Sequence, residues 1–220
     1  MPGLHSQFLW DSLWEGIREL SDAFEERLVF IGGIAVYLHV KDARLPENFI
    51  EHSHDGDFYI SNADFSDLRD IENVTSNRRL SKYQIIKHGA EFDVYLESSN
   101  ELRIRFADIV SGSTVVEGVR IACLEHLLLL KLAAYQDRRG STKGRKDERD
   151  LIRIVYLLDR NGLVEKTLYA YLMQEDVDSL LSLRRSPEFM AVCNKNAHMA
   201  KQLREQFSET ATLIAAALPQ

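Results

Sequence analysis

Three acids stand where a folding chain would rarely choose them: Asp55 and Asp57 in "SHDGDFYI", and Asp93 in "EFDVYLE". Aspartate is depleted in strands, yet both stretches alternate as strands do. Alternation places Asp55, Asp57 and Tyr59 on one face of the first strand, with Phe58 and Ile60 on the other. In the second, Glu91, Asp93, Tyr95 and Glu97 oppose Phe92, Val94 and Leu96. If the strands are neighbours, three carboxylates converge. Like charges at short range raise one another's pKa values or require a cation between them. Hard oxygen donors suit Mg²⁺, which keeps coordination positions for phosphate oxygens, and a pair of such ions suits in-line phosphoryl displacement. A solvated acidic face on an antiparallel sheet produces the same alternation, so the pattern by itself leaves both readings open.

A second oddity precedes the acids. Gly32 and Gly33 in "FIGGIAV" separate two apolar runs. They make either a plain tight turn or a helix N-terminus whose bare N–H groups bind anions, phosphate above all. Beside a carboxylate cluster, such a cradle would complete a nucleotide site.

These residues need elements to hold them. Apolar spacing predicts a helix over residues 7–27, a short strand "RLVFI", a helix "IAVYLHV", and a loop over "KDARLPENFIEHS". A strand over 54–60 precedes a helix over 63–71 capped by Asn62. Strands "KYQIIKH" and "EFDVYLE" turn at His88-Gly89-Ala90. Short strands follow over 102–106 and in "STVVEGVRIA", which turns near Gly118. From Leu124 the pattern is helical: "CLEHLLLLKLAAYQDR", a polar loop "RGSTKGRK", then "DERDLIRIVYLLDR" stopped by Asn161-Gly162, and helices to Leu218 with a fresh start at Pro187. The fold class is α/β (α+β): a small mixed β-sheet core flanked by helices, residues 1–122, then a C-terminal helical domain, residues 123–220, that closes the cleft.

The 220 residues are 45% hydrophobic and 28% charged, with a net charge of −7. That is a globular composition, and the acidic balance argues against an extended nucleic-acid clamp. The exception is a basic segment with Arg138, Arg139, Lys143, Arg145, Lys146 and Arg149, either a solvated run or a lid or RNA foothold. The two cysteines, Cys123 and Cys193, form no CxxC pair and read as core, so a reducing, cytoplasmic setting is expected. No signal peptide or membrane span is expected. His52, His54 and Asp55 miss the spacing of an H-x-H-x-D zinc motif, and the loop lacks the closing Glu of an EF-hand.

"FIGGIAVYLHV", "SHDGDFYI" and "EFDVYLE" together resemble the nucleotidyltransferases of the polymerase-β-type superfamily, whose pattern is a Gly-Gly or Gly-Ser turn, a D-x-D strand and a third acid on a nearby strand. Ser53, Lys131, Arg138 or Arg139, Asp147 and Asp150 match the AbiEii-type, toxin-like branch. The resemblance spans about residues 28–158. It implies an enzyme that moves a nucleoside monophosphate from an NTP to an acceptor hydroxyl. Asp55, Asp57 and Asp93 would be catalytic and hold Mg²⁺, two ions in all, while Gly32, Gly33, Ser53, Lys131, Arg139, Asp147 and Asp150 would contact nucleotide. It further implies an RNA end such as tRNA as acceptor and an antitoxin protein as partner. A small-molecule acceptor, as in antibiotic-modifying relatives, and a degenerate non-catalytic binding domain remain open. Two positions depart from the pattern: Gly56 replaces an aliphatic residue and Glu51 a basic one.

Overall fold

The computed structural model describes residues 4–77, 82–98, 102–161, 168, 170–216 and 218. Its contacts divide the chain into two compact units: Met1–Leu38 with His52–Cys123, and His39–Glu51 with Leu124–Gln220. The break after Cys123 lies beside the expected seam. The segment 39–51, expected with the sheet, groups with the helices.

In the first unit a helix α1 (Leu4–Phe24) precedes β1 (Leu28–Ile31), which runs into α2 (Gly32–Asp42). Then come β2 (Asp55–Ile60), α3 (Asn62–Ile71), β3 (Thr75–Asn77), β4 (Lys82–Lys87) and β5 (Ala90–Leu96), followed by α4 (Phe106–Ser111), β6 (Thr114–Val116) and β7 (Val119–Ile121). The seven strands form one mixed sheet in the order β3-β4-β5-β2-β1-β7-β6. β2 runs antiparallel to β1 and parallel to β5, so the acid-bearing strands lie side by side. Phe30, Phe58, Phe92 and Val94 are fully buried, together with Leu13, Ile17 and Leu20 of α1, and form its core.

Three expectations are corrected here. Ser61, not Asn62, caps α3: its hydroxyl accepts from the Asp64 N–H at 3.0 Å, the short polar reach that an N-cap needs. The strand expected over 102–106 is absent. Residues 102–104 are bends and Phe106 opens α4, where its ring packs edge-on against Tyr59 at 5.0 Å. A short strand β3, where no strand was expected, pairs with β4.

The second unit is helical: α5 (Leu124–Arg138), α6 (Thr142–Asn161), α7 (Gln174–Ser182), α8 (Glu188–Val192) and α9 (Ala197–Ala216). The polar loop expected over 139–146 shrinks to Arg139–Ser141. Ser141 Oγ accepts from the Gly144 N–H at 2.9 Å and starts α6 early, so the basic run belongs mostly to a helix and not to a mobile lid. Leu127, Leu128, Leu132, Leu151, Val155, Phe189 and Phe207 fill the core. The segment 39–51 is anchored here: Arg153 Nε donates to the Phe49 carbonyl at 2.7 Å, Asn48 Nδ2 to the Val192 carbonyl at 3.1 Å, and Phe49 packs on Tyr156. Among the described residues, no helix is long and apolar enough to cross a membrane.

Candidate active site

The register of the sheet decides where the acids go. Asp57 sits opposite Asp93 across the parallel β2–β5 pair, Asp55 is opposite Glu91, and Ile31, the last residue of β1, is opposite Asp57. In a parallel pair, residues in register point to the same face. The backbone therefore brings Asp55, Asp57 and Asp93 onto one surface of neighbouring central strands, while Phe58, Phe92 and Val94 are buried behind them.

Directly after Ile31 the chain turns. Gly32 has φ +65°, and a Cβ there would run into the Asp57 carboxylate. Only glycine combines that backbone conformation with so close an approach. The turn leads at once into α2, whose first N–H groups lack intrahelical partners. Gly32 and Gly33 thus place a helix N-terminus next to Asp57. Ser53 is 2% exposed and donates to Asp55 Oδ1 at 3.2 Å, orienting that carboxylate.

Asp93 is differently placed. Its Oδ2 pairs with Lys82 of β4, while its Oδ1 is buried with no hydrogen-bond partner. The side chains of Lys82 and Asp93 are 16% and 14% exposed. Lys82 was not singled out in the sequence, although the hairpin foretells it. With Gln84 opposite Asp93, alternation sets Lys82 on the same face, diagonal to the acid.

A tighter acidic group exists elsewhere. Glu15, Glu19 and His88 have ligand atoms all within 4.8 Å of one another, but they are exposed. Lys87 already pairs with Glu19 at 2.8 Å. Among the described residues, the three aspartates do not form a group that close. His52 is stacked on Trp10 at 4.2 Å; burial, with help from the His54 charge and against that of Asp11, pushes its pKa below the ordinary histidine value.

The remaining candidates lie in the helical unit, on α5 and α6. Lys131 Nζ is 2.7 Å from Asp150 Oδ2 and 3.3 Å from Asp147 Oδ1, all three side chains being buried. Arg138 holds Asp147 with two bonds of 2.6 and 3.0 Å. Arg139 turns elsewhere: its guanidinium lies over Tyr135 and donates to Ser179 Oγ at 3.1 Å, lining a shallow polar pocket with Gln136, Glu175 and Asp178.

The two departures from the family pattern have local causes. Glu51 receives Arg149 at 2.6 and 2.8 Å and Arg153 at 2.9 Å, and Arg149 continues to Glu188 at 2.7 Å. Burial alone would raise the Glu51 carboxyl, but the Arg149 hydrogen bonds and the Arg153 charge outweigh it and lower its pKa to about 2. An acid at 51 is thus matched by arginines on α6. Gly56 lies in register with Phe92, and a Cβ there would collide with the ring. The volume an aliphatic side chain would fill is already occupied by a phenylalanine.

No protein-family model and no curated protein matches the chain. Among solved structures, it superposes on an antigenic nucleotidyltransferase-like protein from Paracoccidioides brasiliensis with a TM-score of 0.57 at 19% identity, over 84% of this chain and 94% of that one. The fold is nucleotidyltransferase-like. A weaker likeness, TM-score 0.46 at 15% identity, links it to JHP933 from Helicobacter pylori over 93% of this chain and 92% of the other.

Proposed function

We propose that the chain is a Mg²⁺-dependent nucleotidyltransferase, moving a nucleoside monophosphate from an NTP to an acceptor hydroxyl. The observation that carries this reading is the register of Asp57 with Asp93, with the Gly32 turn packed on the Asp57 carboxylate. The donors fit the ion: Asp55 and Asp57 offer carboxylate oxygens from one face of β2, the hard ligands that Mg²⁺ takes. Asp55 and Asp57 would hold Mg²⁺, which supplies positive charge to the phosphate oxygens of the nucleotide when bound.

The chain's own groups do the rest. The N–H groups of Gly32 and Gly33, at the start of α2, bind phosphate oxygens. Ser53 keeps Asp55 turned to its task. Asp93 takes the proton of the acceptor hydroxyl as its oxygen bonds to the α-phosphorus, the bond to the β-phosphate oxygen breaks, and pyrophosphate leaves. Lys131, Arg139, Asp147 and Asp150 stay in this proposal only as residues that the resemblance assigns to nucleotide; Lys131 is held by Asp147 and Asp150.

For the acceptor we take an RNA end, and for the biological role a toxin paired with an antitoxin, as the AbiEii-type resemblance implies. A small-molecule acceptor is the second reading. It is favoured by Arg138 and Arg149, two cations of the basic run, being committed to Asp147, Glu51 and Glu188. The test is label transfer from each α-labelled NTP with Mg²⁺, offered total tRNA and, separately, a panel of aminoglycosides and lincosamides. Label on RNA is expected, reduced at least a hundredfold in Asp57→Asn with an unchanged melting curve. Full transfer by that variant would sink the assignment, and label on a drug alone would select the second reading.

A further inference from the structure

We propose that Lys82 takes, beside Asp93, the place of a second divalent ion, so that this centre works with one ion where the family resemblance implies two. The inference rests on the function proposed above and concerns the same site.

Lys82 is placed by backbone geometry, not by a chance surface rotamer. β4 pairs antiparallel with β5, Gln84 is opposite Asp93, and Lys82 follows one pleat further along the same face. Its ammonium contacts Asp93 Oδ2, and with so little of either side chain exposed the pair is poorly screened by solvent and salt. A divalent ion bound to Asp93 would sit against that ammonium, and like charges in such a shielded position repel strongly. On β2, Asp55 and Asp57 remain the ligands for a single ion, with Ser53 orienting Asp55.

Lys82 then offsets the charge of Asp93 in place of a metal, while the carboxylate takes the proton of the acceptor hydroxyl. Lys82 is thus a positioning residue that acts through Asp93.

The experiment counts ions. The full chain is titrated with Mn²⁺ in the presence of a non-hydrolysable NTP analogue and read by electron paramagnetic resonance. One bound Mn²⁺ per chain with an uncoupled spectrum is expected for the wild type. Lys82→Met should bind two, with the spectrum of a spin-coupled pair, since paired catalytic ions lie roughly 4 Å apart. A coupled pair in the wild type, or a single ion in Lys82→Met, overturns the proposal. Lys82→Gln repeats the count should the Met variant fail to fold, and the wild-type spectrum decides independently of either. A wild-type spectrum identical to that of Mn²⁺ with nucleotide alone, and unchanged in Asp57→Asn, would instead overturn the nucleotidyltransferase reading itself.

Discussion

At the scale of single residues, Gly32 carries two constraints at once. Its φ of +65° is costly for any residue with a Cβ, and the space that a Cβ would take is filled by the Asp57 carboxylate. Gly32→Ala should therefore lower the unfolding free energy by about 1–2 kcal/mol, measured by urea denaturation. It should also displace Asp57, and under the proposed function misplacing that group by an ångström can cost about a hundredfold in rate. A variant with wild-type transfer would mean that the turn and the acid are independent. The two glycines and the three aspartates were legible as residues because each violates a local preference. Lys82 was not, because a lysine opening a half-exposed strand violates none.

At the scale of elements, β2 and β5 hold the centre, and their hidden face is as specific as their acidic one. The Phe92 ring is flanked by two glycines: a Cβ on Gly16 of α1 would come within 2.8 Å of it, and one on Gly56 of β2 would overlap it. Gly56→Val, which introduces the aliphatic residue of the pattern that the sequence resembles, should thus destabilise the chain by about 1–3 kcal/mol through overpacking. Adding Phe92→Ala should recover part of that loss in the same denaturation assay; strictly additive losses would show that the two positions do not share the space. The strands and helices bearing the acids followed from periodicity. What periodicity cannot show is partner choice, so the exchange of volume between 56 and 92 was invisible and Gly56 looked like a defect. Short-range polar competition caused two further misses: Ser61 displaces Asn62 as the α3 cap, and Ser141 converts an expected loop into the first turn of α6. Residues 162–167 and 169, within the stretch expected to be helical, lie outside the described residues.

At the scale of the whole molecule, the helical unit is tied by a chain of charges running from Arg138 through Asp147, Lys131, Asp150, Arg153, Glu51 and Arg149 to Glu188. At its buried centre, where Lys131 meets Asp147 and Asp150, removal of one partner is expensive, because the other is left charged and uncompensated. Glu51 titrates within reach of experiment. Its folded pKa of about 2 lies below the ordinary 4.5. The pairing therefore stabilises fully above pH 4.5, and that stability is lost as pH falls toward 2. Allowing for the quarter of its side chain still open to solvent, the contribution is about 2–3 kcal/mol. Glu51→Gln should be less stable by that amount at pH 7, and the gap should close steadily in urea titrations between pH 5 and 3. A gap that stays constant with pH would place the effect elsewhere.

Glu51 also belongs to a detour of the chain. The polypeptide leaves the sheet unit at His39, returns at His52 and leaves again after Cys123. Neither unit is therefore one uninterrupted stretch of coding sequence. A gene truncated after codon 123 would still encode residues 39–51 but not Tyr156, Arg149 or Arg153, orphaning Phe49 and Glu51 together. Recombination at the apparent seam would strand that borrowed segment, so the two halves are expected to be inherited, and to diverge, as a single cistron.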